Sequence, residues 1–93
     1  MRKGTGSGVV ISFHGNSFAE FCQWEKENKN VYKKLCKLII EIERDPFHGT
    51  GKPEPLKHQS NHWSRRIDDV NRLVYEITAG SIEIVQCKGH YDD

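Results

Sequence analysis

Residues 51–75 contain the segments GKPEPLKH (51–58), WSRRI (63–67) and NRLVY (71–75), and the rest of the chain is organised around them. The first segment predicts a turn-rich loop in which two prolines flank one carboxylate, that of Glu54. The other two segments predict strands that together carry three arginines. An acid, several cations and flanking aromatic rings, concentrated in about a quarter of the chain, are typical of a site that acts on a phosphodiester.

The length and composition of the chain predict one small globular domain. It has 93 residues, of which 35% are hydrophobic and 29% are charged. A chain of this size buries only about 60% of its unfolded surface and rarely supports two cores. No apolar run approaches the roughly 20 residues of a membrane-spanning helix, and no secretory signal is visible. Because the formal charge is only +1, any affinity for nucleic acid must come from a local basic cluster.

The cysteines and histidines do not predict a metal site. Cys22, Cys36 and Cys87 are odd in number and have no paired spacing, so we interpret them as reduced thiols in a cytoplasmic protein. His58 and His62 are four residues apart, a spacing that would suit zinc only on a helix. Their segment is not predicted to be helical, and we therefore expect neither a metal nor another cofactor.

The N-terminal third predicts a tail, a strand and a helix. Residues 1–8 have the composition of a flexible tail or a remnant of an expression vector. A β-branched and aromatic run at 9–13 predicts the first strand. Ser17 and Glu20 match a capping box, in which each side chain satisfies a backbone N–H at the start of a helix. The helix is expected at 18–28. The apolar residues of its predicted inner side are Phe18, Phe21, Cys22 and Trp24.

The second predicted helix has the clearest periodicity in the chain. Its apolar face, at 3.6 residues per turn, consists of Val31, Leu35, Leu38, Ile39 and Ile42. Its polar residues are Lys33, Lys34, Lys37 and Glu41. We interpret them as a solvated face, with contact between the lysines and RNA as the alternative. The helix should end at Asp45, because a residue that precedes a proline disfavours helical geometry. Glycines and prolines are expected to exclude regular structure at 47–55.

Three strands are predicted at 62–68, 72–78 and 81–88, with links short enough for hairpins. The order β-α-α-β-β-β predicts an α+β domain, with two helices on one face of an antiparallel sheet and the other face open. Side chains alternate along a strand, which places Arg72 on the open face. For the same reason Arg65 and Arg66 must point to opposite faces.

With PFHG at 46–49 and His90-Tyr91 near the end, these segments resemble the YoeB (Txe) toxins of the RelE superfamily. The resemblance covers 9–91, which we expect to form one toxin domain with a RelE/YoeB-like microbial RNase fold, followed by an acidic extension at 92–93. It implies the toxin of a type II toxin-antitoxin system, a ribosome-dependent endoribonuclease that cleaves messenger RNA in the A site. It also implies a YefM-like antitoxin, a homodimer, contact with operator DNA only through the antitoxin complex, and no membrane partner.

The resemblance further implies a metal-independent mechanism and assigns a residue to each of its steps. Cleavage of RNA through the 2′-hydroxyl needs a base, cations at the phosphate and an acid for the departing 5′-oxygen. Glu54 matches the family's base, Arg72 the arginine that stabilises the transition state, and His90 the acid. Free glutamate is a weak base at neutral pH, so the surroundings of Glu54 are expected to disfavour its charged form.

Four further residues are expected to bind the substrate: Arg66, Arg65, Lys57 and Tyr91. Only one of the adjacent arginines can reach a given phosphate, and the resemblance favours Arg66. Lys57 either joins it or balances Glu54, and Tyr91 would stack on or orient a base. On the residues alone, a solvated loop carboxylate, a surface arginine and a frayed chain end remain the alternatives for Glu54, Arg72 and His90.

The chain departs from the family pattern at several positions. His48 replaces an acidic residue, Asn71 replaces a histidine before the arginine, and the loop at 58–63 is one residue short. Asp92 and Asp93 follow the tyrosine at which the family typically stops, so their carboxylates either repel RNA or pair with the arginines.

Two other classes of function stay open. A non-catalytic toxin of the same fold, such as the gyrase-directed ParE relatives or a degenerate copy that only binds its antitoxin, would lack the set formed by Glu54, Arg72 and His90. A plain RNA-binding module would need a stronger positive charge and aromatic rings stacked along one strand.

Overall fold

A computed structural model describes residues 9–90 of the chain, so the N-terminal tail, Tyr91 and the acidic pair at 92–93 lie outside it. Its elements in chain order are β1 (Val10–Phe13), α1 (Ser17–Glu27), α2 (Lys29–Arg44), β2 (Glu54–Pro55), β3 (His62–Arg66), β4 (Arg72–Thr78) and β5 (Ser81–Gln86). The strands form one sheet in the order β1-β5-β4-β3-β2, and both helices contribute to a single core against it. No helix in the described part is long and apolar enough to cross a membrane.

The sheet is mixed, so the prediction of a purely antiparallel sheet is wrong. β1 pairs with β5 in parallel, with Val10 level with Ser81 and Phe13 level with Ile84. The other neighbouring strands are antiparallel, as predicted. A parallel pair needs a long connection, and the two helices together with β2, β3 and β4 supply it here. The α+β class with two helices is confirmed.

The short strand β2 lies where glycines and prolines were expected to exclude regular structure. Glu54 is level with Ser64 and Pro55 with Trp63 in an antiparallel pair. β2 is the last strand of the sheet. A proline is tolerated at such an edge because it has no N–H to offer to a further strand. The sheet therefore holds Glu54 at a defined position, whereas an irregular loop would not.

The predicted apolar face of α2 is confirmed. Leu35, Leu38 and Ile42 are fully buried, and Val31 and Ile39 pack at the margin of the same core. Across from them, the inner face of the sheet contributes Leu73, Tyr75, Ile82 and Ile84. Asn28 caps the helix, because its Oδ1 accepts hydrogen bonds from the backbone N–H groups of Asn30 and Val31. The helix ends at Arg44, just before Asp45.

The capping box predicted for α1 is wrong, because its two side chains hold the helix against β5 instead. The hydroxyl of Ser17 donates to the carbonyl of Ile84 at 2.7 Å. Oε1 of Glu20 accepts from the backbone N–H of Cys87 at 2.9 Å. A short-range pattern cannot reveal this, since the competing partners lie 67 residues away in the chain.

The inner side of α1 also differs from the prediction. Trp24 is buried and donates from Nε1 to the carbonyl of Cys87 at 2.8 Å. Phe18 is 56% exposed and Cys22 is exposed, so neither belongs to the core. All three cysteines are free thiols.

Candidate functional site

The open face of the sheet carries a polar depression of about 140 Å³ across β2, β3 and β4. Its lining residues are Gly51, Lys52, Glu54, Ser64, Arg66 and Arg72. Three of the residues predicted for the site, Glu54, Arg66 and Arg72, are therefore brought together.

Strand register explains why these side chains meet. Glu54 of β2 is level with Ser64 of β3, and Arg66 of β3 is level with Arg72 of β4. Ser64 and Arg66 are two positions apart on one strand, so they share a face. Residues that are level in an antiparallel pair have Cβ atoms about 4.5–5.5 Å apart. The sheet thus holds one carboxylate and two guanidinium groups in a single patch.

The two arginines lie opposite each other in an arrangement that suits the binding of an anion. Like charges that are directly opposite each other across two strands are destabilising. Within residues 9–90, neither Arg66 nor Arg72 forms an ion pair with a carboxylate. A guanidinium group matches the geometry of phosphate oxygens. The pair is therefore suited to a phosphate that approaches from the open face.

The turn before β4 orients Arg72. Its Nη1 donates to the backbone carbonyls of Asp68 at 2.9 Å and of Asn71 at 3.2 Å. These bonds use one of the two terminal nitrogens, and Arg72 still lines the depression. Arg66, by contrast, is exposed. One arginine is therefore held by the turn, while the other has more freedom.

The C-terminal segment lies beside Arg72. The backbone N–H of Arg72 donates to the carbonyl of Gly89 at 2.9 Å, and Nε2 of Gln86 donates to the same carbonyl at 3.0 Å. Gly89 has φ +101°, a conformation that favours glycine. His90 follows directly and is exposed. Its backbone is thus placed next to the arginine, although its ring is not among the groups that line the depression.

Asn71 is a residue that the sequence analysis treated only as a departure from the family pattern. Its Oδ1 accepts from the backbone N–H of Gly89 at 2.7 Å, and its Nδ2 donates to both carboxylate oxygens of Asp68, at 3.1 and 3.0 Å. Burial alone would raise the pKa of Asp68, but the hydrogen bonds from Asn71 and Val70 outweigh it and hold the pKa below its ordinary value. The signal in the sequence for this role of Asn71 was the DDVN segment at 68–71, because an aspartate at the start of a turn tends to accept hydrogen bonds from the residues that follow it.

Lys52 and Ser64 also line the depression and were not predicted. Lys52 has φ +54°, a left-handed conformation that typically costs a non-glycine residue about 1–3 kcal/mol and is concentrated at functional sites. Its position between Gly51 and Pro53, two residues before the candidate base, was the signal that could have identified it. Ser64 could have been identified from alternation, since it shares a strand face with Arg66.

Arg65 does not belong to this cluster. It is 0% exposed and points to the core face, opposite to Arg66, as strand alternation requires. All five N–H donors of its guanidinium group are used inside the protein, so none remains for a phosphate. Nε donates to Tyr75 Oη at 3.2 Å, Nη1 to Glu41 Oε1 at 3.2 Å and to the carbonyl of Thr50 at 3.3 Å, and Nη2 to the carbonyls of Asp45 at 2.8 Å and His48 at 2.9 Å. The expectation that Arg65 binds substrate is thereby corrected.

Glu41 was expected on a solvated helix face, and it is instead a partner of this buried arginine. Its carboxylate accepts from the backbone N–H and the hydroxyl of Thr50, both at 2.9 Å. These hydrogen bonds, with a smaller contribution from the charge of Arg65, hold the pKa of Glu41 below its ordinary value.

The remaining predicted residues lie apart from the cluster or outside the described part. Lys57 is exposed and lines a neighbouring depression formed by residues 55–63. Tyr91, Asp92 and Asp93 are not among the described residues. In the range 9–90, histidine, cysteine and acidic side chains do not gather in groups of three or more that could hold a metal ion.

Comparisons with known proteins point to one family. A family model described as a YoeB-like toxin of bacterial type II toxin-antitoxin systems matches residues 13–91. Toxin YoeB of Streptomyces coelicolor is 46% identical over 82 residues, which are 87% of this chain and 98% of that toxin. A YoeB dimer from Staphylococcus aureus aligns with a TM-score of 0.82 at 33% identity, over 91% of this chain and 100% of that chain. A YoeB-YefM complex from the same species has a TM-score of 0.79 at 36% identity, over 89% and 98% of the two chains.

Proposed function

The chain belongs to the family of YoeB-like toxins of bacterial type II toxin-antitoxin systems, and from this premise we propose that it is a ribosome-dependent endoribonuclease that cleaves messenger RNA in the A site. One observation carries the proposal: the sheet holds Glu54 together with Arg66 and Arg72 on its open face. A carboxylate beside two cations is the set that attack by a 2′-hydroxyl on a phosphodiester requires.

Glu54 is the proposed general base. The β2–β3 pairing and the two flanking prolines hold its backbone, while the carboxylate is exposed and can be reached by RNA. It removes the proton of the 2′-hydroxyl, whose oxygen then attacks the adjacent phosphorus. The bond from phosphorus to the 5′-oxygen breaks and leaves a 2′,3′-cyclic phosphate and a 5′-hydroxyl. Because the carboxylate is exposed in the protein alone, bound RNA has to exclude water from it.

Arg66 and Arg72 are the proposed phosphate ligands. Negative charge increases on the non-bridging oxygens during the attack, and the two guanidinium groups stabilise it more than they stabilise the ground state. The repulsion between the two arginines falls when the phosphate lies between them. Lys52 and Lys57 add positive charge near the same strand and are expected to contact neighbouring phosphates.

His90 is the proposed general acid, because an imidazole titrates near neutral pH and can protonate the departing 5′-oxygen. The hydrogen bonds that anchor Gly89 beside Arg72 keep the following residue close to the phosphate ligands. We expect Tyr91 to stack on or orient a base, and this residue lies beyond the described range.

The ribosome, the antitoxin and a second copy are the proposed partners. The net charge of +1 gives little general attraction for RNA, so the ribosome is expected to supply most of the substrate positioning. The similarity to a YoeB-YefM complex and to a YoeB dimer supports a YefM-like antitoxin and a homodimer. We expect the antitoxin to cover the cluster and to mediate any contact with operator DNA.

The test is cleavage of a defined messenger RNA, mapped by primer extension with and without programmed bacterial ribosomes. Wild type, Glu54→Gln, His90→Ala and the matched control Glu43→Gln, an exposed carboxylate on α2, are compared after circular dichroism has verified folding. Ribosome-dependent cuts that are lost in the first two variants and kept in the control are expected. Absence of cuts with folded wild type would contradict the proposal and favour a non-catalytic toxin.

A further inference from the structure

We propose that Arg65 is a positioning residue, whose buried guanidinium group holds the loop at 45–51 and thereby the place at which Glu54 enters the sheet. The inference rests on the proposed cleavage function, in which Glu54 is the base. Arg65 does not touch the depression on the open face. It would therefore act only through the backbone that leads to β2.

Arg65 satisfies three backbone carbonyls of the loop. Its two terminal nitrogens donate to the backbone carbonyls of Asp45, His48 and Thr50, at 2.8, 2.9 and 3.3 Å. These carbonyls belong to a segment that forms neither a helix nor a strand. A polar backbone group that loses its partner away from water is costly, so one side chain determines the shape of the whole loop.

The guanidinium group of Arg65 is itself held from two sides. Glu41 on α2 pairs with Nη1 at 3.2 Å and also accepts from the N–H and the hydroxyl of Thr50 in the loop. On β4, the hydroxyl of Tyr75 accepts from Nε of Arg65 and donates to the carbonyl of Pro46 at 2.6 Å. Burial raises the pKa of Tyr75, which keeps the hydroxyl protonated for this role.

The loop approaches β3 closely. The backbone N–H of Arg66 donates to the carbonyl of Gly51 at 2.6 Å. A Cβ at Gly49 would lie 2.8 Å from Nη1 of Arg65, and a Cβ at Gly51 would lie 3.2 Å from Cβ of Arg65. The loop therefore rests directly on this side chain. Glu54 follows Gly51 by only three residues, so a displaced loop moves the carboxylate.

Lysine cannot replace this group. An ammonium presents its donors from one point, whereas the planar fork of arginine reaches carbonyls on several sides at once. Arg65→Lys keeps the charge next to Glu41 and removes most of the loop contacts. Tyr75→Phe is a milder second variant, because it removes only the hydroxyl that joins Arg65 and Pro46. Ile82→Val is the matched control, since it alters a buried residue of β5 level with β1, away from the loop.

The first readout is amide hydrogen exchange in the free protein. Arg65→Lys should accelerate exchange at the amides of Thr50 and Arg66, which bond to Glu41 and to Gly51, by about 10-fold or more over the control. Tyr75→Phe should produce a smaller acceleration in the same loop. If Arg65→Lys does not fold, the exchange of the loop amides in Tyr75→Phe is the test of the inference. Unchanged loop exchange in a folded variant overturns the inference.

The second readout is single-turnover cleavage on programmed ribosomes. Arg65→Lys should reduce the rate about 10- to 100-fold, because a displacement of about 1 Å can cost that much. Binding of a messenger RNA with a 2′-deoxy residue at the cleavage site should stay unchanged. In a Glu54→Gln background the same substitution should reduce the residual rate by less than about 2-fold, since the group on which it acts is already removed.

The possible results separate the two proposals. A wild type that does not cleave contradicts the proposed function, and the role of Arg65 in catalysis fails with it, whereas the exchange data still report on the loop. A wild type that cleaves, together with an Arg65→Lys variant that cleaves equally fast, overturns only this inference. An equal rate loss in the presence and absence of Glu54 also overturns it, because it indicates a general loss of structure.

Discussion

Arg66 on β3 and Arg72 on β4 lie directly opposite each other across an antiparallel pair, at the edge of a depression that also contains Glu54. Two like charges in this register repel each other and reduce stability. Among residues 9–90, neither arginine forms an ion pair with a carboxylate. Under the proposed function a phosphodiester supplies the missing negative charge, and this would distinguish the cluster from an ordinary polar surface.

Removal of one arginine should separate stability from activity. Arg66→Gln should leave the free energy of unfolding unchanged or raise it by about 0.2–1 kcal/mol at low salt, because a repulsion is removed. Cleavage should fall by roughly 10²- to 10³-fold, as for other groups that stabilise charge in a transition state. Urea titrations at two salt concentrations and the primer-extension assay measure the two effects. Destabilisation by more than about 1 kcal/mol would show that Arg66 has a structural role instead.

Gly51 and Gly80 form a matched pair for testing the loop. Both have positive φ, +89° and +82°, so alanine is strained at either position. A Cβ at Gly51 would lie 2.8 Å from the carbonyl oxygen of Arg66, whereas a Cβ at Gly80 meets nothing within 4 Å. Gly80→Ala should cost about 1–2 kcal/mol in the free energy of unfolding and leave cleavage unchanged. Gly51→Ala should reduce the free energy of unfolding by more than Gly80→Ala does, and it should also reduce cleavage. Equal effects of the two substitutions in both assays would contradict the close approach of Gly51 to Arg66.

The stability of the domain should depend on pH through Glu41. Its pKa is held below the ordinary value, so near pH 4 the unfolded state binds more protons than the folded state. The stabilisation is therefore present above the unfolded pKa and is lost as the pH falls through the folded pKa. Glu41→Gln should flatten the decline in the free energy of unfolding between about pH 5 and pH 3. Glu43→Gln, on the exposed side of the same helix, is the control, and a decline that Glu41→Gln does not change would refute the assignment.

Asn71 should control the position of the C-terminal segment. Asn71→Ala removes the acceptor for the backbone N–H of Gly89, so exchange of that amide should become faster. Cleavage should decrease by about 10-fold if the anchor serves His90, and binding of a 2′-deoxy messenger RNA should be unchanged. Asp69→Asn, an exposed change in the same turn, is the control. If cleavage stays normal although the Gly89 amide exchanges faster, the proposed role of His90 in the reaction is contradicted.

Periodic features of the chain were predictable because they depend on local geometry. The core face of α2, with Leu35, Leu38 and Ile42, follows from 3.6 residues per turn. The opposite directions of Arg65 and Arg66 follow from strand alternation. Ser17 and Glu20 show the limit of such reasoning, because their side chains bond to Ile84 in β5 and to Cys87 just after it, although the adjacent sequence fits a helix cap.

The sequence by itself determined the order of the elements other than β2, the apolar face of α2 and the residue types of the site, because helical and strand periods and the quoted motifs are properties of short segments. The tertiary structure alone decided that β1 is parallel to β5, that Glu54 lies in a strand level with Ser64, and that five donors of Arg65 are used inside the core. These outcomes depend on partners distant in the chain, and a side chain's partner is chosen only when the elements pack.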